Sequence, residues 1–80
     1  MPLPRKTYEE QASRADERAH RAAVRAGYAH GRRQLAVHLP AQEMWAKEAK
    51  RHEATAKLEA EKADGYRRQA EQQGARPPAD

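Results

Sequence analysis

Arg14, Arg18, Arg21, Arg25, Tyr28 and Arg32 follow one another at steps of four, three, four, three and four. Side chains three and four apart share one face of an α-helix, so this spacing predicts a continuous cationic stripe, with Arg33 beside it. A guanidinium is planar, always charged and offers a fork of donors that matches phosphate oxygens. A tyrosine ring within the stripe adds a face on which a base can stack. The chemistry suggested is non-covalent: a ridge lying across a nucleic-acid backbone with little regard for sequence. An acidic protein partner would answer the same cations. So would Glu53, Glu59 or Glu61 if they lay on a facing helix, and arginine stems also cover apolar surface beside a packing seam.

Charge along the chain supports an anionic partner. The formal net charge is +4. Residues 1–38 carry eight basic and four acidic side chains, whereas residues 39–80 carry eight of each. No acidic residue stands between Arg18 and Gln42. The whole excess therefore belongs to the segment that bears the stripe.

Covalent chemistry has little to work with. The hydroxyl and thiol inventory is Ser13, Thr7 and Thr55, with no cysteine. None has the pattern of a nucleophile beside a base and an orienting group. Asp16 with His20, and Glu48 with His52, stand one helical turn apart and are read as helix-surface pairs. Di-metal bundles place Glu and His three apart and facing inward, which is a different spacing. Gly27 and Gly31 lack the strand-turn-helix setting of a phosphate loop. The expectation is a protein that is not an enzyme and needs no metal or cofactor.

The elements that must carry the stripe follow from periodicity. Tyr8, Ala12, Ala15, Ala19, Ala22, Ala26, Ala29, Arg33 and Ala36 alternate by fours and threes. A second series runs Trp45, Ala49, His52, Ala56, Glu59 (with Ala60 beside it), Ala63, Tyr66, Ala70 and Gln73. Such seams are the signature of coiled-coil packing. Thr7 and Glu10 fit a capping box at the start of the first helix. Pro40 should end that helix by pushing Leu39 out of helical angles, and it suits the first turn of the next. The expected fold is therefore all-α: a long antiparallel two-helix hairpin, an alanine-rich coiled coil. Helix 1 covers about residues 7–38, the corner 39–41 and helix 2 about 41–73. A flexible tail is expected over 1–6 and a disordered, proline-containing tail over 74–80.

Eighteen alanines leave few bulky apolar groups, so the core should be thin. Leu35, Leu39, Met44 and Trp45 should gather at the corner, Tyr8 and Tyr66 at the open end. A single hairpin of this kind is marginal, which favours a homodimer packed as a four-helix bundle or docking on a helical partner. Ala23, Gly27 and Gly31 lie four apart, outside the seam, and make a groove of small residues that another helix can cross closely. Leu35, Val37 and Trp45 complete that expected interface. The alternative is that the glycines kink or break helix 1. Pairs four apart on helix 2, such as Glu43–Lys47, Glu53–Lys57 and Asp64–Arg68, read as a solvated face.

No apolar run approaches the ~20 residues of a membrane span, and the N-terminus lacks the apolar stretch of a secretory signal. Cytoplasmic residence is the expectation. In shape alone the predicted hairpin resembles small plasmid-encoded RNA-binding proteins that dimerise into four-helix bundles, a likeness that transfers no site. The composition suits an accessory or regulatory protein of a mobile element such as a plasmid or phage. Two functions remain open: nucleic-acid binding through the arginine stripe, or a protein–protein module docking through the Gly27/Gly31 groove.

Overall fold

The computed structural model describes residues 3–75. It consists of two long helices, α1 (Arg5–Leu35) and α2 (Leu39–Ala75), packed against each other. Contacts between them run in opposite directions: Asp16, Arg18, His30 and Tyr28 of α1 meet Arg67, Glu59, Glu53 and Trp45 of α2 respectively. The pair is an antiparallel hairpin, and its Cα atoms spread only 16 × 13 Å across the long axis.

The core is alanine. Ala12, Ala15, Ala22, Ala26 and Ala29 of α1 are buried against Ala49, Ala63 and Ala70 of α2. Tyr8, Ala19, Trp45, His52, Ala56, Glu59, Tyr66 and Gln73 are half-buried along the same line. The expected seam is therefore the observed one, with two departures. Arg33 is exposed, and Ala36 lies past the end of α1 in extended conformation. Alanine has the highest helix propensity and no side-chain entropy to lose, so a long run of it favours helix from local terms alone. The bulky groups do not form a core at the corner. Leu35, Leu39 and Met44 are exposed there, and Val37 is 87% exposed. Alanine-spaced helices leave too little depth between them to enclose leucines.

Both ends of α1 differ from expectation. The helix begins at Arg5, with Pro4 as its cap and no side-chain cap hydrogen bond, so the Thr7–Glu10 capping box is not formed. Thr7 and Tyr8 instead donate their backbone N–H groups to the Pro4 carbonyl at 3.0 and 3.2 Å. The corner spans Ala36–His38 and not 39–41. Ala36 is extended (φ −70°, ψ 129°), and Gln42 Nε2 donates to its carbonyl at 2.9 Å. Leu39 and Pro40 open α2, where the missing proline N–H is not needed, and the His38 carbonyl accepts from Gln42 N at 3.1 Å. Proline thus starts the second helix instead of ending the first. Gly74 and Ala75 belong to α2, while the rest of the tail expected over 74–80 lies outside the described residues, as do Met1 and Pro2. α1 is unbroken through Gly27 and Gly31, which removes the expected alternative of a break there. Among the described residues no helix is long and apolar enough to cross a membrane.

Candidate functional site

At about 100° per residue, the seam of α1 leaves two flanks and an outer face. Asp16 and His30 lie on one flank, and there both reach across the helices: Asp16 pairs with Arg67, and the His30 ring shares a hydrogen bond with Glu53. Asp16, read from the sequence as half of a surface pair with His20, thus reaches over to α2. Arg14, Arg18, Arg21, Arg25 and Arg32 lie on the other flank, where matching is incomplete.

On that second flank Arg18 Nε donates to Glu59 at 2.9 Å. Glu59 also meets Lys62 at 3.6 Å, and its side chain is only 12% exposed. The Arg18 hydrogen bond is the main reason its carboxyl titrates below the ordinary value; the charges of Arg18 and Lys62 act the same way, and partial burial opposes them. Arg21 reaches Glu17 at 3.9 Å, a loose pair with both partners exposed. Among the described residues no carboxylate lies within ion-pair distance of Arg14, Arg25, Arg32 or Arg33. Glu10, one turn before Arg14, does not pair with it.

Arg18, Arg21 and Arg25 line one open groove of about 390 Å³ between the helices. Its other wall comes from α2: Arg51, His52, Thr55 and Glu59. Four arginines thus face a single carboxylate. Arg51 is braced by Glu48 at 2.7 Å, and the same carboxylate meets His52 at 3.4 Å. Thr55 returns its hydroxyl to the Arg51 carbonyl at 3.1 Å. Reading α1 alone missed the α2 wall. The signal was present in the sequence, since Arg51 and Thr55 are one turn apart and next to the seam residue His52, but it needs the helix register to be seen.

The stripe ends at an aromatic pair. Tyr28 meets Trp45 edge to face, with ring centroids 5.8 Å apart. The Arg32 guanidinium lies over the Trp45 ring at 5.7 Å, within cation–π range. Arg14 sits at the other end, in a shallow depression with Lys6, Glu9, Glu10 and Ser13. Arg33 is exposed beyond the stripe.

The small residues expected to make a docking face are placed apart from this flank. Ala23, Gly27 and Gly31 are exposed on the part of α1 turned away from α2, whereas Leu35, also exposed, lies with Arg32 and Trp45 at the corner. A Cβ built on Gly27 or Gly31 meets nothing within 4 Å, so no packing inside the hairpin calls for glycine. Trp45 belongs to the arginine flank, not to the glycine row. On α2, among the described residues, the lysine and arginine pairs are three apart, Glu48–Arg51, Glu59–Lys62 and Asp64–Arg67, and not the expected Glu43–Lys47, Glu53–Lys57 and Asp64–Arg68; the expected Glu48–His52 pair, four apart, is made. Among the described residues no group of three His, Asp or Glu side chains is placed to hold a metal ion.

The fold and the flank together define an alanine-seamed antiparallel helical hairpin with one arginine-lined groove. No protein-family model, no curated protein and no solved structure gives a significant match to the chain.

Proposed function

We propose that this chain is a non-catalytic nucleic-acid-binding protein, acting in the cytoplasm as an accessory or regulatory factor of the kind carried by mobile elements. The groove of Arg18, Arg21, Arg25 and Arg51 takes the phosphate backbone. The observation that carries this reading is the imbalance between flanks. On one flank Asp16 and His30 find partners across the helices. The other lines a groove with four arginines and one carboxylate, Glu59, which Arg18 and Lys62 already hold. Arg21 and Arg51 have only the same-helix carboxylates of Glu17 and Glu48, and Arg25 has none within ion-pair distance among the described residues. Two walls from two helices give a trough that a chain of phosphates can follow, and binding of this type depends on counterion release.

Fluorescence anisotropy with labelled RNA and DNA oligonucleotides at rising salt tests the proposal. Binding should be micromolar at low salt, and the plot of log affinity against log salt should fall with a slope of about −3 for some three to four phosphate contacts. Arg21→Gln with Arg25→Gln should reduce that slope by about two. Absence of binding at 50 mM salt rejects the reading.

A second reading rests on a separate observation. Leu35, Val37, Leu39 and Met44 are exposed near the corner, Val24 is exposed farther back on α1, and the Gly27/Gly31 row between them is open. We propose that a second copy of the hairpin crosses there, giving a four-helix dimer. Sedimentation equilibrium would then give twice the chain mass, and Gly27→Leu would return it to the monomer value with helicity intact. A monomer at all concentrations excludes this dimer.

A further inference from the structure

We infer that the corner end of the arginine groove is a pocket for one unstacked nucleobase, so that the preferred ligand is single-stranded nucleic acid rather than a duplex. The inference rests on the nucleic-acid reading above and narrows it. A cavity of about 190 Å³ lies between the start of α2 and the end of α1, lined by Arg32, Leu35, Ala36, Ala41 and Trp45. Its walls are one aromatic ring, three aliphatic side chains and one guanidinium, with no carboxylate. It is smaller than the roughly 300–1,000 Å³ of sites for drug-sized ligands, which suits a single planar ring system.

The parts of the pocket are held for stacking. Trp45 is half-buried, so its orientation is set by the seam while part of the ring stays open to the cavity. Tyr28 fixes it from the side by the edge-to-face contact. Arg32 lies over the same ring and can close over an inserted base, since guanidinium planes stack on bases as they do on indole. Arg25, in the groove, and Arg32, in the pocket, are seven residues apart on one helical face, about 10 Å along the axis. A strand whose phosphates lie in the groove therefore reaches the pocket within a nucleotide or two. A paired base cannot enter it, because its faces are covered by its neighbours in the duplex.

Trp45 is the chain's one tryptophan, so its emission reports on this pocket directly. The test uses three oligonucleotides of equal phosphate count on the wild-type protein: a single strand, the same backbone with its bases removed, and a duplex. Anisotropy measures binding and tryptophan emission measures stacking. The bound single strand should quench Trp45 by half or more, while the bound abasic strand and duplex should leave its emission unchanged. In Trp45→Leu, with circular dichroism confirming the helices, affinity for the single strand should fall about tenfold and that for the abasic strand should hold. Arg32→Gln should reduce quenching and weaken single-strand binding more than abasic-strand binding. If the single strand binds but leaves emission unchanged, or the abasic strand quenches equally, the pocket inference is overturned and the phosphate groove stands. If none of the three binds, the groove reading falls and takes this inference with it.

Discussion

Glu59 is the acidic residue through which the groove communicates with the fold. It occupies a seam layer, is almost enclosed, and holds Arg18 of the opposite helix. Its folded-state carboxyl titrates below the ordinary value, chiefly because of the Arg18 hydrogen bond. A group of this sign contributes stability that is fully present above its unfolded pKa and is lost as pH falls through the folded one. The melting temperature should therefore decline on acidification through the lower carboxylate range, over and above the decline from other acids. Arg18→Gln should flatten that part of the curve, because the partner that lowers the pKa is gone. Thermal melts of both proteins at intervals from pH 6 to pH 3 check this. A parallel decline in the two would mean that Arg18 is not the cause. Arg18 also lines the groove, so it serves the fold and the site at once, and it should be left intact when only the site is probed.

Small residues have opposite meanings on the two faces of these helices, which makes the elements easy to test. Ala63 is fully buried against α1, and leucine there would force the seam apart at a cost of about 1–3 kcal/mol. Gly27 and Gly31 are helical, have no positive φ and face open space. Alanine at either site should stabilise the hairpin by about 0.5–1 kcal/mol, or some 4 °C in melting temperature. Denaturant melts of Ala63→Leu, Gly27→Ala and Gly31→Ala should thus move in opposite directions. A loss of stability in both glycine variants would mean that the open row is occupied in solution.

The same contrast shows what could be read before any coordinates. The seam was legible because alanine recurs at heptad steps over four turns and more, a signal that survives uncertainty at any one position. The corner was not, because the rule that proline discourages helix in its predecessor competes with its fitness for a first turn, and the second prevailed at Leu39–Pro40. Arg14, Arg18, Arg21, Arg25 and Arg32 were legible as one stripe on one helix. The contributions of Arg51 and Thr55, and the place of Trp45 at the stripe's end, depend on the register between helices, which single-helix periodicity does not supply.

At the scale of the whole molecule, a thin core makes stability responsive to anything that bridges the helices. Eight buried alanines lie along the seam among the described residues, and no large side chain is fully enclosed there. Burial of alanine contributes far less than the roughly 1.5–3 kcal/mol of a leucine or valine. The groove draws Arg18, Arg21 and Arg25 from one helix and Arg51 from the other, so a polyanion seated in it ties α1 to α2 and favours the folded hairpin over a separated pair. A ligand present at a hundred times its dissociation constant adds about 2.7 kcal/mol if it binds only the folded form. For a domain of this size that corresponds to roughly 10–20 °C in melting temperature. Scanning calorimetry with a saturating single-stranded oligonucleotide at low salt should show a shift of that order. Arg51→Gln should remove a large share of it while changing the ligand-free melt little, because among the described residues Arg51 pairs only with Glu48, three residues away on the same helix. An unchanged shift in Arg51→Gln would confine the contact to the stripe of α1, which binds without holding the helices together.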